Sequence, residues 1–174
     1  MKKETLTVET DEEGTVTFRN ADGQRHNANG PAIISANGDK AHYINGELHN
    51  PNGPAIIYAD GHKLYYINGK LHNPHGPAVI YADGDKYHYI NGELHNPDGP
   101  AAIYTDGGKA YYINGQLHNP NGPALVYANG YKAYYINGKK LTEAEFKTWQ
   151  EEQTAPLHNK TATIDGIEYT LTAK

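Results

Sequence analysis

Apolar and polar positions along this chain alternate in short bursts, none longer than a hairpin strand, and the bursts recur at a fixed interval. From Arg25 the rows RHNANGPAIISANGDKAHYINGE, LHNPNGPAIIYADGHKLYYINGK, LHNPHGPAVIYADGDKYHYINGE, LHNPDGPAAIYTDGGKAYYINGQ and LHNPNGPALVYANGYKAYYINGK follow one another without insertion, a period of 23 residues held over five rows. In the second row Ala55 to Ala59 lead into Asp60 and Gly61, and His62 to Ile67 lead out. Asp-Gly between two β-rich runs is the signal of a two-residue type I′ turn, which needs positive φ twice. Asn68 and Gly69 repeat the signal and fold Lys70, Leu71 and His72 back along the preceding strand. Pro77 then opens the first strand of the next row, where a missing N–H does least harm.

This pattern predicts an all-β fold: an elongated, solenoid-like repeat array of antiparallel β-hairpins in a single continuous meander, with a short C-terminal capping helix and a terminal hairpin. With a two-residue turn, Ala59 faces His62, Tyr58 faces Lys63, Ile57 faces Leu64, Ile56 faces Tyr65 and Ala55 faces Tyr66. One face then carries Ala55, Ile57, Leu64 and Tyr66, and the other Ile56, Tyr58, Lys63, Tyr65 and Ile67. Two strands per row advance the array by roughly 10 Å, and stacked neighbours supply the core that one row lacks.

Both ends read as caps. Residues 1–24 form an N-terminal strand or hairpin cap, with Thr15 to Asn20, the turn at Asp22 and Gly23, and Gln24 to His26 as an incomplete row. The five repeats occupy 25–140, a capping helix 141–155 and a C-terminal hairpin 156–174. Thr142 with Glu145 three positions on is a capping box, Leu141 and Phe146 are spaced as a hydrophobic staple, and a helix from about Glu143 to Gln153 presents Phe146 and Trp149 on one face. Thr161 to Leu171 reads as a hairpin around Asp165 and Gly166.

Composition sharpens this picture. The aromatic residues are 15 Tyr against 2 Phe and 1 Trp, so most aromatic mass carries a hydroxyl that wants water or a partner. Net charge is −5, divided as −3 over residues 1–24, −1 over 25–138 and −1 over 139–174. A near-neutral array lacks the clustered Lys and Arg of a nucleic-acid footprint or a membrane-binding patch, so neither nucleic acid nor membrane is expected as a partner. Cysteine is absent, which removes disulfides and thiolate chemistry. No apolar run reaches the length of a transmembrane span or a signal-peptide core, and a cytoplasmic location is the expectation.

The cadence Tyr-Ala-Asp-Gly-x-Lys-x-Tyr-Tyr-Ile-Asn-Gly-Lys-Leu-His at period 23 resembles MORN repeats, and more closely the variant MORN-like rows of bacterial and phage proteins, including antitoxin-type proteins. The resemblance spans roughly residues 16–141. It implies an elongated sheet of stacked hairpins with a scaffolding, inhibitory or immunity role, and it brings no catalytic signature. Asn73-Pro74 stands where those repeats place a glycine after the His, and Ile67 where they place Trp, so phospholipid binding does not transfer.

Three columns carry candidate chemistry. His26, His49, His72, His95 and His118 form the first, but a rung of roughly 10 Å is too wide for two rows to share one Zn²⁺ at bond lengths near 2.1 Å, so no metal site is expected. Lys40, Lys63, Lys86, Lys109 and Lys132 form the second, expected opposite Tyr58, Tyr81, Tyr104 and Tyr127, where ammonium groups over rings would hold a phosphate-bearing nucleotide or an acidic strip, or would simply shield the rings with their stems. The third is the Tyr pair, Tyr65 with Tyr66, Tyr111 with Tyr112 and Tyr134 with Tyr135, which leaves an aromatic ladder suited to glycans or protein hot spots, or packs across strands. His62 and Tyr131 stand among the turn-end positions where the rows differ.

Ser35 is the one serine, no Gly-x-Ser-x-Gly, His-Glu-x-x-His or phosphate-loop pattern occurs, and near-identical rows do not build a single unlike constellation. The expectation is therefore a non-enzymatic scaffold without a cofactor that binds a protein partner as an inhibitor, antitoxin or immunity factor. The alternatives are a small-ligand or glycan binder using the Lys and Tyr columns, and a structural spacer or homo-oligomer.

Overall fold

The computed structural model describes residues 5–154 and 160–171, so the expected boundary between helix and terminal hairpin, at 155–156, lies outside the described residues. Thirteen strands form one antiparallel sheet whose spatial order follows the chain, from Thr7–Thr10 at one edge to Lys139–Leu141 at the other. The meander is open, with two free edges. No helix among the described residues is long and apolar enough to cross a membrane.

Each row splits in two. In row two, Ile56–Ile57 and Lys63–Leu64 belong to the long sheet, while Tyr66–Ile67 and Lys70–Leu71 make a separate two-stranded ribbon. The break falls at Tyr65, whose N–H donates to the Ala78 carbonyl of the next row at 2.7 Å. The ribbon turns are of type I′, as expected: Asn68 has φ 48° and Gly69 φ 71°.

The first turn differs from expectation. Of Asp60 and Gly61, only Gly61 takes positive φ, at 99°. The Gly61 N–H donates to the Tyr58 carbonyl and the Tyr58 N–H to the His62 carbonyl, each at 3.0 Å. This is a three-residue loop of Ala59, Asp60 and Gly61, a type I turn closed by a glycine in the left-handed region. Asp60 stays right-handed because its Oδ1 accepts the His62 N–H at 3.1 Å, a local bond that substitutes for a backbone turn.

One extra loop residue shifts the register. Ile57 now pairs with Lys63 and Ile56 with Leu64. Because side chains alternate, a slip of one moves every residue of the second strand to the other face. The expected pairings of Tyr58 with Lys63 and Ile57 with Leu64 are therefore replaced.

What holds the rows together is small and repeated. Ala32, Ala55, Ala78, Ala101 and Ala124, each following proline, are fully buried, and among the described residues no larger side chain falls below 2 % exposure. Their N–H groups close their own row and their carbonyls reach the row before: Ala78 donates to Tyr87 at 2.8 Å and accepts from Tyr65 at 2.7 Å. Each Asn of the loop orders it locally; the Asn73 side chain donates to the Pro77 carbonyl at 2.9 Å and accepts the His75 N–H at 3.1 Å.

The front cap exceeds the expected incomplete row. Thr7–Thr10 pairs with Val16–Arg19, which in turn pairs with Ile33–Ile34, so an additional exposed strand forms the first edge. At the back, the capping box forms as expected: the Thr142 N–H donates to Glu145 Oε2 at 2.7 Å, and the Glu145 N–H to Thr142 Oγ1 at 3.2 Å. The helix runs Glu143–Thr154, with Phe146 buried between the Tyr134 and Trp149 rings. The terminal hairpin joins Lys160–Ile164 to Ile167–Leu171 through Asp165 and Gly166, both at positive φ.

Candidate functional site

The register sorts the candidate residues onto two open faces. On the first lie Tyr58, Tyr81, Tyr104 and Tyr127, one in each of rows two to five and 37 to 49 % exposed. Their rings are linked edge to face through the residues between them. Tyr58 meets His62 at 6.1 Å, His62 meets Tyr81 at 5.1 Å, Tyr81 meets Tyr87 at 5.7 Å and Tyr87 meets Tyr104 at 5.8 Å, with interplanar angles of 81° to 89°. This is the favoured geometry for aromatic quadrupoles. Tyr127 and Tyr131 make a second group at 5.6 Å, and Tyr131 is 55 % exposed.

Behind this ladder stand Tyr66, Tyr89 and Tyr112. Burial, with neighbouring tyrosines second, raises all three phenols above the ordinary range. Tyr87 is pushed up to about 12 by burial first, then by Tyr104 and Asp85. A phenol that resists ionisation keeps its proton as a hydrogen-bond donor across the physiological range.

The second face carries the lysines. Lys40, Lys63, Lys86, Lys109 and Lys132 are exposed and alternate along the sheet with Ile57, Ile80, Ile103 and Val126. The expected Lys-over-Tyr arrangement is thus corrected: the two columns lie on opposite sides of one sheet. Among the described residues, the cation–π contact is instead Arg25 over Tyr43, at 5.5 Å.

Tyr65, Tyr111 and Tyr134 part company with Tyr66, Tyr112 and Tyr135, as two consecutive residues must. Tyr65 and Tyr111 line open clefts between successive Asn-Pro loops, one cleft of about 460 Å³ with His72 and Pro74 and another of about 420 Å³ with His118 and Val126. Val126 pairs with Lys109, which places this cleft on the lysine side. Tyr134 lines a hollow beside the capping helix with Thr142 and Glu145. His42 and His88 occupy the equivalent position in rows one and three. The Nδ1 side of the His88 ring is buried, and burial lowers its pKa below the usual value against a smaller opposing effect of the Ala101 carbonyl.

The histidine column has a structural partner. His49 Nδ1 lies 2.8 Å from Asn68 Oδ1 and 3.2 Å from the Asn68 N–H, at the positive-φ corner of the next ribbon, and His72 and His95 repeat this with Asn91 and Asn114. Each histidine therefore ties one row's ribbon to the next row's turn. Among the described residues no group of three His, Asp or Glu side chains is placed to hold a metal ion.

Reasoning from sequence missed Tyr87 as a member of the ladder. The signal was the single row in which the Leu64 position is aromatic, legible once the correct register is known. Neither the models of known protein families nor the curated proteins yield a match to this chain.

Proposed function

We propose that this protein is a non-enzymatic repeat scaffold that holds a protein partner against its tyrosine face. The observation that carries this reading is the run of exposed tyrosines, Tyr58, Tyr81, Tyr104, Tyr127 and Tyr131, on one side of an open sheet. Tyrosine offers large contact area with little rotamer entropy to lose, and an exposed aromatic patch of this kind marks binding surfaces. The MORN-like cadence of the rows agrees with a scaffolding role, and an inhibitor, antitoxin or immunity factor is the form of that role the resemblance favours. A nucleotide clamped between lysine and tyrosine is the weaker reading, since one small ligand does not reach both sides of a sheet.

The test is recovery of a stoichiometric partner from the source cell with tagged protein in three forms: unchanged, Tyr81→Ala/Tyr104→Ala and Lys63→Ala/Lys86→Ala. The tyrosine pair should lose the partner and the lysine pair should keep it. Loss that follows only the lysine pair refutes the assignment of the face.

A further inference from the structure

We infer that the segment held by the tyrosine face is a polyproline II stretch with basic residues among its prolines. This inference rests on the reading above and names the chemistry of the partner.

Pitch is the first argument. The exposed tyrosines recur once per row, and a row advances two strands, about 9.6 Å. A β-strand presents the same side every second residue, about 6.7 Å, which falls out of step at the first rung. An α-helix returns to its starting side after seven residues, about 10.5 Å, and over three rows accumulates a misfit near 3 Å. Polyproline II repeats every three residues and about 9.3 Å, and over the same three rows drifts by only about 1 Å.

Shape is the second argument. The tyrosines stand on a sheet face, away from the ladder groups of its edges, so a bound chain finds no backbone strand to pair with. Polyproline II makes no internal backbone hydrogen bonds and keeps its polar groups in water, so lying there strands none of them. The edge-to-face contacts from Tyr58 through His62, Tyr81 and Tyr87 to Tyr104 make a continuous aromatic surface, the kind of lining against which proline rings pack in the grooves that recognise polyproline II.

Charge is the third. The turns that rim this face carry Asp39, Asp60, Asp83, Asp85 and Asp106, while the lysines project from the opposite side. Each of these carboxylates spends Oδ1 on a backbone N–H, those of Ala59, His62, Asp85, Thr105 and Gly108 in turn; Asp39 Oδ2 also accepts from the Asn37 amide at 3.1 Å and Asp60 Oδ2 stands 3.8 Å from His62 Nδ1, which leaves Asp83, Asp85 and Asp106 with a second oxygen to offer. An acidic rim around aromatic rings complements Arg or Lys in the ligand, with cation–π contact to tyrosine added for Arg.

The test uses the full chain and fluorescein-labelled peptides at physiological salt: (Pro-Pro-Arg)₄, (Pro-Pro-Glu)₄ and (Gly-Ser-Arg)₄, read by fluorescence anisotropy. (Pro-Pro-Arg)₄ should bind saturably and at least about tenfold more tightly than the other two, a difference of about 1.4 kcal/mol. Four tyrosines span about 29 Å, so affinity should rise with peptide length to about ten residues and then level off. Tyr81→Ala/Tyr104→Ala should weaken binding about tenfold or more, with Tyr127→Ala as a milder variant whose fold is checked by circular dichroism. Asp83→Lys, at an exposed turn position of ordinary φ, should also weaken it, whereas Lys63→Ala/Lys86→Ala should not.

Equal binding of (Gly-Ser-Arg)₄ reduces the effect to charge and overturns the inference, as does a preference for (Pro-Pro-Glu)₄. A cellular partner that needs Tyr81 and Tyr104 but docks a helix, with no binding of proline peptides, overturns this inference and leaves the protein-partner reading intact. Peptide binding indifferent to the tyrosines overturns the inference and also counts against the face assigned above.

Discussion

Gly84 and Gly107 occupy the same place in successive first turns, at φ 101° and 94°, yet their surroundings differ. A Cβ at Gly84 would stand 2.9 Å from Thr105 Cγ2 of the next row, and one at Gly107 would meet nothing within 4 Å. Gly107→Ala therefore isolates backbone strain. A φ near 95° lies well outside the left-handed well near 57°, a cost of about 1 to 3 kcal/mol, offset by a gain of about 0.4 to 1 kcal/mol from the stiffer unfolded chain.

Gly84→Ala bears the same strain and must also move a methyl group. Thr105 is held by Asp85 Oδ1, which accepts its N–H at 2.8 Å and its hydroxyl at 3.1 Å. Turning the methyl away sacrifices the hydroxyl bond, an added cost of about 0.5 to 1.5 kcal/mol. Urea unfolding followed by circular dichroism should order the stabilities as unchanged protein, then Gly107→Ala, then Gly84→Ala, at similar slopes. The double variant Gly84→Ala/Thr105→Ser should recover most of the gap between the two single glycine variants, because serine keeps the hydroxyl that donates to Asp85 and lacks the colliding methyl. A Gly107→Ala protein as stable as the parent would refute the three-residue turn with its left-handed glycine. Equal losses for the two variants would refute the close approach of rows three and four.

Three further outcomes follow from the same geometry. Ala78→Val adds two methyl groups at a fully buried position whose backbone bonds both its own row, at Tyr87, and the preceding one, at Tyr65, and should cost about 1 to 3 kcal/mol in urea unfolding. Thr142→Ala removes the hydroxyl that accepts the Glu145 N–H and donates to Glu145 Oε2, and should cost about 1 kcal/mol, read as loss of helix signal ahead of the sheet. Burial favours neutral His88, so its folded pKa sits below the unfolded value of 6.5; the stability tied to it is complete above that value and is lost as pH falls through the folded pKa. His88→Tyr, copying the residue of rows two, four and five, should therefore show a smaller fall in melting temperature between pH 7.5 and pH 5 than the parent.

The period, the Asn-Gly ribbon turns and the capping box were legible in the sequence because each is fixed by neighbours a few residues apart. Asn68 before Gly69 has no other comfortable conformation between two strands, and Thr142 finds Glu145 within one helical turn. Asp60-Gly61 was not decisive. The dipeptide suits a two-residue turn with both residues left-handed, and equally a three-residue loop in which glycine alone is. Asp60 Oδ1 bonding to the His62 N–H favours the second, and a loop of odd length reverses which residues share a face. The break at Tyr65 was hidden for a different reason: Leu64 to Ile67 reads as one strand, and what divides it is a hydrogen bond to Ala78 in another row. The first edge strand, Thr7–Thr10, lies in an acidic stretch, and its single apolar residue, Val8, is 55 % exposed, so no hydrophobic face announced it.

An open repeat array of this size exposes far more surface than a compact chain would. Its accessible area is 11401 Å², against about 8400 Å² expected for a globular protein of 19.1 kDa. The absence of fully buried large side chains among the described residues means that cohesion comes from bonds repeated at each rung, through alanine backbones, histidine–asparagine contacts and ordered Asn-Pro loops. Those positions are nearly the same in every row and so carry no address. The address lies where rows differ on the tyrosine face: Asp39, His62, Asp85, Gly108 and Tyr131 beside the exposed rings, and Ala41, Leu64, Tyr87, Ala110 and Ala133 beneath them. The continuous ladder ends at Tyr104, and Tyr127 pairs with Tyr131 as a separate group. Gly108 supplies no side chain between them, and a Cβ there would crowd Tyr104 Cδ2 at 3.2 Å and Asp106 Oδ1 at 3.0 Å. A periodic surface alone would let a bound chain slip by whole rows at little cost. An interruption at one rung, with unlike aromatic groups on either side, makes those slipped registers inequivalent and gives a repeated surface one preferred alignment.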